Sequence, residues 1–225
     1  MVCHDVGVLT DFFVDIWSDV VCPFCYLGFR QFHDALDHFE HADDVVIRHH
    51  AFELDPHARL TRGQSLDEML AEKYSMSLER AAALNQRVQD SARDLGMEWS
   101  LATAQPTNTF DAHRVIAHAA THGRREEMLE RLFRAYFSEG LDISDHDTLA
   151  TLSREVGVLG ADEALVSNMF ADDVRRDENL AAKIGITGVP ALILNGRVHL
   201  SGAQGAPAML QALREAWSLR SDQPA

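Results

Sequence analysis

The stretch "DVVCPFCYLGF", Asp19 to Phe29, constrains this chain more than any other. It holds two of the three cysteines, Cys22 and Cys25, with Pro23 and Phe24 between them. Before it, in "FFVDIWSD", Phe12, Val14 and Ile16 alternate with Phe13, Asp15 and Trp17, the pattern of a strand buried on at least one face. After it, Leu27, Phe32, Leu36 and Phe39 recur at helical spacing. Proline suits the first helical position because its missing N–H would have no partner there. The unit is strand, tight turn, helix, with Cys22 at or beside the N-cap. Three readings fit such a pair: a reactive dithiol, half of a zinc site, or two inert core thiols.

The chemistry of the position separates them. Residues three apart on a helix share a face, with Cβ atoms about 5–6 Å apart, close to what a disulfide needs. A pair placed there closes and opens with little backbone movement. The helix start adds unpaired N–H groups and the positive end of the dipole, which favour the thiolate of Cys22 over its thiol. Its side chain stands where a cap accepts the N–H of Cys25. Cys22 is therefore expected as the nucleophile and Cys25, one turn further in and more buried, as the resolving thiol. Pro23 and Phe24 bring no charge to the sulfur, which argues for an intermediate potential. A structural zinc site needs a second close pair. Only Cys3 and a histidine could complete one, and Cys3 reads as a free thiol near the terminus.

Composition narrows the partners. A formal charge of −15 argues against nucleic acid and against an anionic membrane surface. Of the 20 basic residues only Lys73 and Lys183 are lysines, a skew that fits a high-salt surface or a GC-rich genome equally and does not bear on function. The run "MVCHDVGVLTDFFVDIWSDVV" lacks a basic region and is interrupted by Asp5, Asp11, Asp15 and Asp19, so a cytoplasmic location is expected. No apolar run is long enough to span a membrane. In that compartment a Cys-x-x-Cys is catalytic or metal-binding rather than structural.

The rest of the chain reads in two textures. "VVIRHHAFEL", Val45 to Leu54, is a second strand, most simply parallel to the first. From about Arg62 to Gly185 helices follow one another. Ser65 and Glu68 form a capping box, Ser77 and Gly96 bracket a helix, and so do Thr109 and Gly123, then Ser144 and Gly157. Gly140 and Gly185 end two more. Then "GVPALILNGRVHLSG" carries two short apolar runs around Asn195-Gly196, a hairpin signature. A last helix from Ala206 to about Leu219 is expected to bury Met209, Leu210, Leu213 and Trp217. Pro190 stands before a strand, where proline has no ladder donor to lose. His49 and His50 point to opposite faces of their strand. His118 and His122 read as a solvent-facing helix flank, Trp17 and Tyr26 as core, and Phe24 as an exposed apolar contact.

Taken in order, "DIWSDVVCPFCYLG", "FELDP", "TNTFDAHR", "LFRAYFSEGLDISD" and "GITGVPALILNGRVHLSGAQ" resemble the DsbA family of thiol-disulfide oxidoreductases, in particular its FrnE-like branch. The resemblance runs from about Phe12 to Leu219. It implies an α/β thioredoxin-like fold with a large all-helical insertion. Residues 11–61 would form the N-terminal βαβ part, 62–170 the insertion, and 171–225 the helix, Pro190 loop, hairpin and last helix. It implies exchange with protein or small-molecule thiols, Cys22 attacking and Cys25 resolving. Pro190 would be the family's cis-proline, and Val189 would offer backbone to an extended substrate beside Pro23 and Phe24, with His113 near the cleft. The redox-active disulfide would itself be the cofactor, with glutathione a possible co-substrate and no metal. The related kappa-class glutathione transferases and 2-hydroxychromene-2-carboxylate isomerases usually carry serine at the place of Cys22. A glutathione-dependent transferase or isomerase is the first alternative, and a client-holding module the second.

Overall fold

The computed structural model describes residues 11–58 and 64–222, so Cys3 lies outside the described residues. Among the described residues four strands form one sheet in the order β2-β1-β3-β4. The alternation in β1 (Phe12–Ser18) places it centrally, parallel to β2 (Val45–Ala51) with Phe12 opposite Val45 and Ser18 opposite Ala51. The crossover between them is α1 (Pro23–Asp37). On the other side β3 (Ala191–Leu194) and β4 (Val198–Ser201) make the antiparallel hairpin. Asn195 and Gly196 both take positive φ, 49° and 67°, as a two-residue hairpin turn matched to strand twist requires.

Phe12, Val14 and Ile16 bury one face of β1 against Phe32 and Ala35 of α1 and Met209 and Leu213 of α9 (Ala206–Ser218). In α9 Ala212 and Ala216 are also buried, whereas Leu210 and Trp217 are only half-buried. Trp217 lies over the edge of the core, its ring stacked on His41 at 3.9 Å.

Between β2 and β3 stand α2 (Leu66–Lys73), α3 (Leu78–Asp94), α4 (Phe110–Ala120), α5 (Arg125–Phe137), α6 (His146–Glu155), α7 (Ala161–Val166) and α8 (Ala171–Lys183). The capping box forms: Ser65 accepts the Glu68 N–H while Glu68 accepts the Ser65 N–H. Three boundaries differ from the sequence reading. β2 stops at Ala51, because Phe52 donates to the Ser18 carbonyl and Leu54 to the Asp19 carboxylate. The cap of α6 is Asp145 rather than Ser144, with Thr148 N–H on its carboxylate at 2.8 Å. The six-residue α7, entered through Gly160 at φ 84°, is too short to show a period.

This helical block covers the face of α1 that the sheet leaves open. Tyr26 stacks on Phe133 at 4.7 Å and on Trp99 at 5.4 Å, and Met128, Leu129, Leu132 and Tyr136 of α5 are all buried. The start of α1 thus sits at the junction of sheet and helices. His118 departs from the expected solvent-facing flank: it is buried, its Nε2 bonded to the Leu159 carbonyl at 2.9 Å, while His122 is exposed. Among the described residues no helix is long and apolar enough to cross a membrane.

Candidate active site

Cys22 is the N-cap of α1, with extended backbone, and Pro23 opens the helix. The expected side-chain cap does not form. The Cys22 backbone carbonyl takes the Cys25 N–H at 3.0 Å, and the Cys22 thiol instead donates across the site to the Val189 carbonyl at 3.6 Å. Both cysteines are free thiols and both are buried, Cys22 at 4% exposure and Cys25 at 1%. Of the two residues between them, Pro23 is half-buried and Phe24 is 49% exposed. The apolar rim of the site is therefore Phe24.

The Val189–Pro190 peptide is cis, and Gly202 N–H holds the Pro190 carbonyl at 2.8 Å. Gly28 brings this loop against α1: a Cβ at Gly28 would stand 3.2 Å from Pro190 Cγ. Sequence reasoning assigned Gly28 no role, since a helical glycine is informative only once its neighbour is known.

Burial raises the Cys25 thiol well above its ordinary pKa, and the hydrogen bond and charge shared with Cys22 raise it further. The Asp19 backbone N–H pulls the other way, and the Asp19 carboxylate adds a repulsive charge. Cys25 is accordingly held as the protonated, sheltered member of the pair.

Beneath the dithiol lies a buried polar layer that the sequence only partly revealed. Asp19 is 1% exposed; one carboxylate oxygen accepts the Leu54 N–H at 2.7 Å, and the other, Oδ1, has no hydrogen-bond partner among the described residues. His113 Nε2 stands 3.5 Å from that oxygen and is likewise unpartnered. His113, expected near the cleft, is 4% exposed, with Nε2 facing Asp19. In the sequence Asp19 stood out only as one of four acids interrupting an apolar run. Next to it, Asn108 Nδ2 donates to Glu53 at 3.0 Å and Arg175 does so at 2.8 Å, joining the "FELDP" and "TNTFDAHR" segments. Burial and the adjacent Glu178 push the Glu53 carboxyl up. Among the described residues no group of three or more His, Cys, Asp or Glu side chains is arranged to hold a metal.

The family described as DSBA-like thioredoxin domain matches residues 13–214. A crystal structure of a probable DsbA oxidoreductase from Streptomyces coelicolor is 35% identical, covers 95% of this chain and 93% of its own, and superposes with a TM-score of 0.90. The uncharacterized protein YwbO of Bacillus subtilis is 28% identical over 206 residues, 90% of this chain and 96% of that protein. At the level of fold alone, the chain is also similar to the cytosolic disulfide reductase DsbM of Pseudomonas aeruginosa, solved with glutathione. That likeness is 19% identity over 92% of this chain and 100% of that one, with a TM-score of 0.62.

Proposed function

In a chain that belongs to the DSBA-like thioredoxin domain family, we propose that Cys22 and Cys25 exchange disulfides with protein or small-molecule thiols, in the manner of the FrnE-like branch. The observation that carries this reading is the Cys22 sulfur, poised at a helix start and 3.6 Å from the Val189 carbonyl, with a second, more sheltered thiol one turn behind it. Cys22 attacks a substrate disulfide and one substrate sulfur leaves as a thiol. Cys25 then attacks Cys22 and releases the other, so one disulfide is transferred to the protein and two thiols are formed. The burial that raises Cys25 keeps it from competing with Cys22 for substrate. Backbone at Val189 pairs with an extended substrate segment as an added strand would, and Phe24 supplies an apolar contact beside the reacting sulfur. The redox group is the Cys22–Cys25 pair itself, with glutathione recycling it in the cytoplasm.

The test is a redox titration of the pair against glutathione buffers, scored by thiol alkylation and mass. A midpoint between about −120 and −270 mV falls in the range of working oxidoreductases. A pair that never closes, or cannot be reopened, defeats the proposal. Replacing Cys22 by Ser is expected to abolish exchange; exchange that persists would move the chemistry to a bound glutathione and to the transferase or isomerase alternative.

A further inference from the structure

β2 is an edge strand: among the described residues it pairs with β1 alone. At its C-terminal end two side chains stand where a next strand would. Arg125 of α5 donates to the His49 carbonyl at 2.9 Å, and the Ala51 N–H donates to Asp177 of α8 at 3.0 Å. Beyond them the strand stands back from α4 and α8 and leaves a cleft of about 560 Å³. That lies within the range of small-molecule pockets, about 300–1,000 Å³. Cys22, Cys25 and Pro190 are not among its lining residues, so it is separate from the dithiol.

Part of the lining is apolar. Ala117 and Ala120 of α4 lie one turn apart on the same face, and their small side chains open the space. Leu129 of α5, Val174 of α8 and Phe170 close it. Phe170 takes φ 63°, a conformation that a bulky residue holds only under constraint. Strain is thus accepted at the residue that completes the apolar wall.

The rest of the lining is charged. Arg48, Arg125, Arg176 and the doubly bonded His50 outnumber Asp173 and Asp177 there, in a chain of formal charge −15. Arg48 and His50 are neutralised by Asp15, His50 also by Asp177, and Arg176 by Asp173. Arg125 is not. It is half-buried, one of its N–H groups is on a backbone carbonyl, and among the described residues no carboxylate pairs with it. The acids that follow it are engaged elsewhere, Glu126 with His33 and His49, and Glu127 with Arg124. A guanidinium with donors to spare beside an apolar wall suits an anion carried on an apolar body.

We propose that this cleft binds a small aliphatic carboxylate, its carboxylate held by Arg125 and its chain laid along Ala117, Ala120 and Phe170. The inference goes beyond the exchange reading and is independent of it. A planar monoanion matches the fork of one arginine. A phosphate dianion would bring a second charge toward Asp173 and Asp177, which one unpaired guanidinium does not offset. A flat aromatic body would want a ring on each side. Among the described residues Phe170 is the one carbocyclic ring of the lining, and His50 is already stacked on Trp17 at 4.3 Å. An aliphatic chain needs only the apolar wall.

The experiment titrates the isotope-labelled protein with octanoate and follows backbone amide shifts by NMR, which locate the site as well as measure it. Octanoate is expected to bind with a Kd of about 1 mM or tighter, with the largest shifts at Ala51, Ala117, Ala120 and Phe170. Hexanoate should bind about tenfold more weakly, as the loss of two buried methylenes requires. The neutral octanol should also bind about tenfold more weakly than octanoate, for want of a charge-assisted bond. Arg125→Gln should bring octanoate down to the level of octanol and leave octanol unchanged. Ala117→Leu fills the cleft from α4 with Arg125 in place, and should weaken octanoate and octanol alike by about tenfold or more. Amide spectra that match the parent away from the cleft show that each variant is folded. No shift with octanoate up to about 10 mM overturns the proposal, as do shifts centred on Phe24 and Val189, on the rim of the dithiol. Equal binding of octanoate and octanol overturns it too, since Arg125 would then hold no carboxylate. So does a folded Ala117→Leu that binds octanoate like the parent. None of these outcomes bears on exchange by Cys22 and Cys25, which the redox titration tests separately.

Discussion

His50 and His113 are two histidines set against carboxylates, and they are bonded in opposite ways. Both ring nitrogens of His50 meet a carboxylate at 2.8 Å, Asp15 on one side and Asp177 on the other, and Trp17 stacks on the ring at 4.3 Å. Two carboxylates on two ring nitrogens require both to be N–H donors, so this ring is an imidazolium. His113 faces one carboxylate at 3.5 Å with Nε2 unpartnered. A fully bonded ring resists any change of proton, because losing one breaks a bond. The His113 ring is held mainly by packing. His50 thus serves as a fastening, holding α8, and through it the chain that runs on to Val189, against the sheet. His113 fastens nothing comparable.

The largest expected effect tests the fastening. Asp177 accepts from His50 and from the Ala51 backbone N–H at 3.0 Å, and its own carbonyl accepts from Trp17 Nε1. Asp177→Ala leaves an imidazolium and a backbone donor short of a partner, at a cost of about 3 kcal/mol. Urea unfolding at neutral pH would read this as a lower midpoint with unchanged slope. His113→Gln in the same assay should cost less than about 1 kcal/mol, since the bond it removes is already poor. Equal losses would break the contrast between the two rings.

A smaller effect sharpens it. Burial works against a charged His50, but its bonds to Asp15 and Asp177 outweigh burial and raise its pKa. Its contribution is therefore complete below the ordinary histidine value of about 6.5 and is lost as pH rises through the raised folded value. Burial likewise works against the Asp15 carboxylate, and His50 and Arg48 outweigh it and lower its pKa. That contribution holds above about 3.9 and is lost as pH falls through the lowered folded value. The fastening should be strongest between these limits. Urea midpoints from pH 5 to 9 should decline as pH rises above about 6.5 in the parent, and less steeply in His50→Gln, where His33, whose bond to Glu126 outweighs burial, still titrates. An unchanged slope would show that another group titrates there.

The sequence made the framework legible because its signals are local. Strand alternation before Cys22, the capping box at Ser65 and the Asn195-Gly196 turn each depend on residues within a few positions of one another, and each formed where expected. Failures came where a distant partner decides. Cys22 gave up its capping role to a carbonyl 167 positions away. His118 turned inward because Leu159 offered it an acceptor. Asp19 and His113 became a pair only when α4 was laid under the turn after β1, which no spacing rule reports. The thiol pair was readable, and the buried carboxylate and imidazole near it were not.

Gly28 puts the same lesson into one substitution of small effect. Its φ is ordinary for a helix, so Ala is conformationally welcome and favours α1 by up to about 1 kcal/mol. The new Cβ, however, meets Pro190 Cγ at 3.2 Å, so the loop must retreat by a few tenths of an ångström. That loop is tied on its far side by the Gly202 N–H on the Pro190 carbonyl, and retreat lengthens the contact of Val189 with the Cys22 sulfur. Helix gain and crowding should nearly cancel, leaving Gly28→Ala within about 1 kcal/mol of the parent in stability. Exchange should nonetheless slow several-fold, because reacting groups tolerate little misplacement. Stopped-flow exchange beside a urea titration separates the two. A full loss of stability with exchange intact would mean that the glycine serves packing rather than the approach of the loop to Cys22.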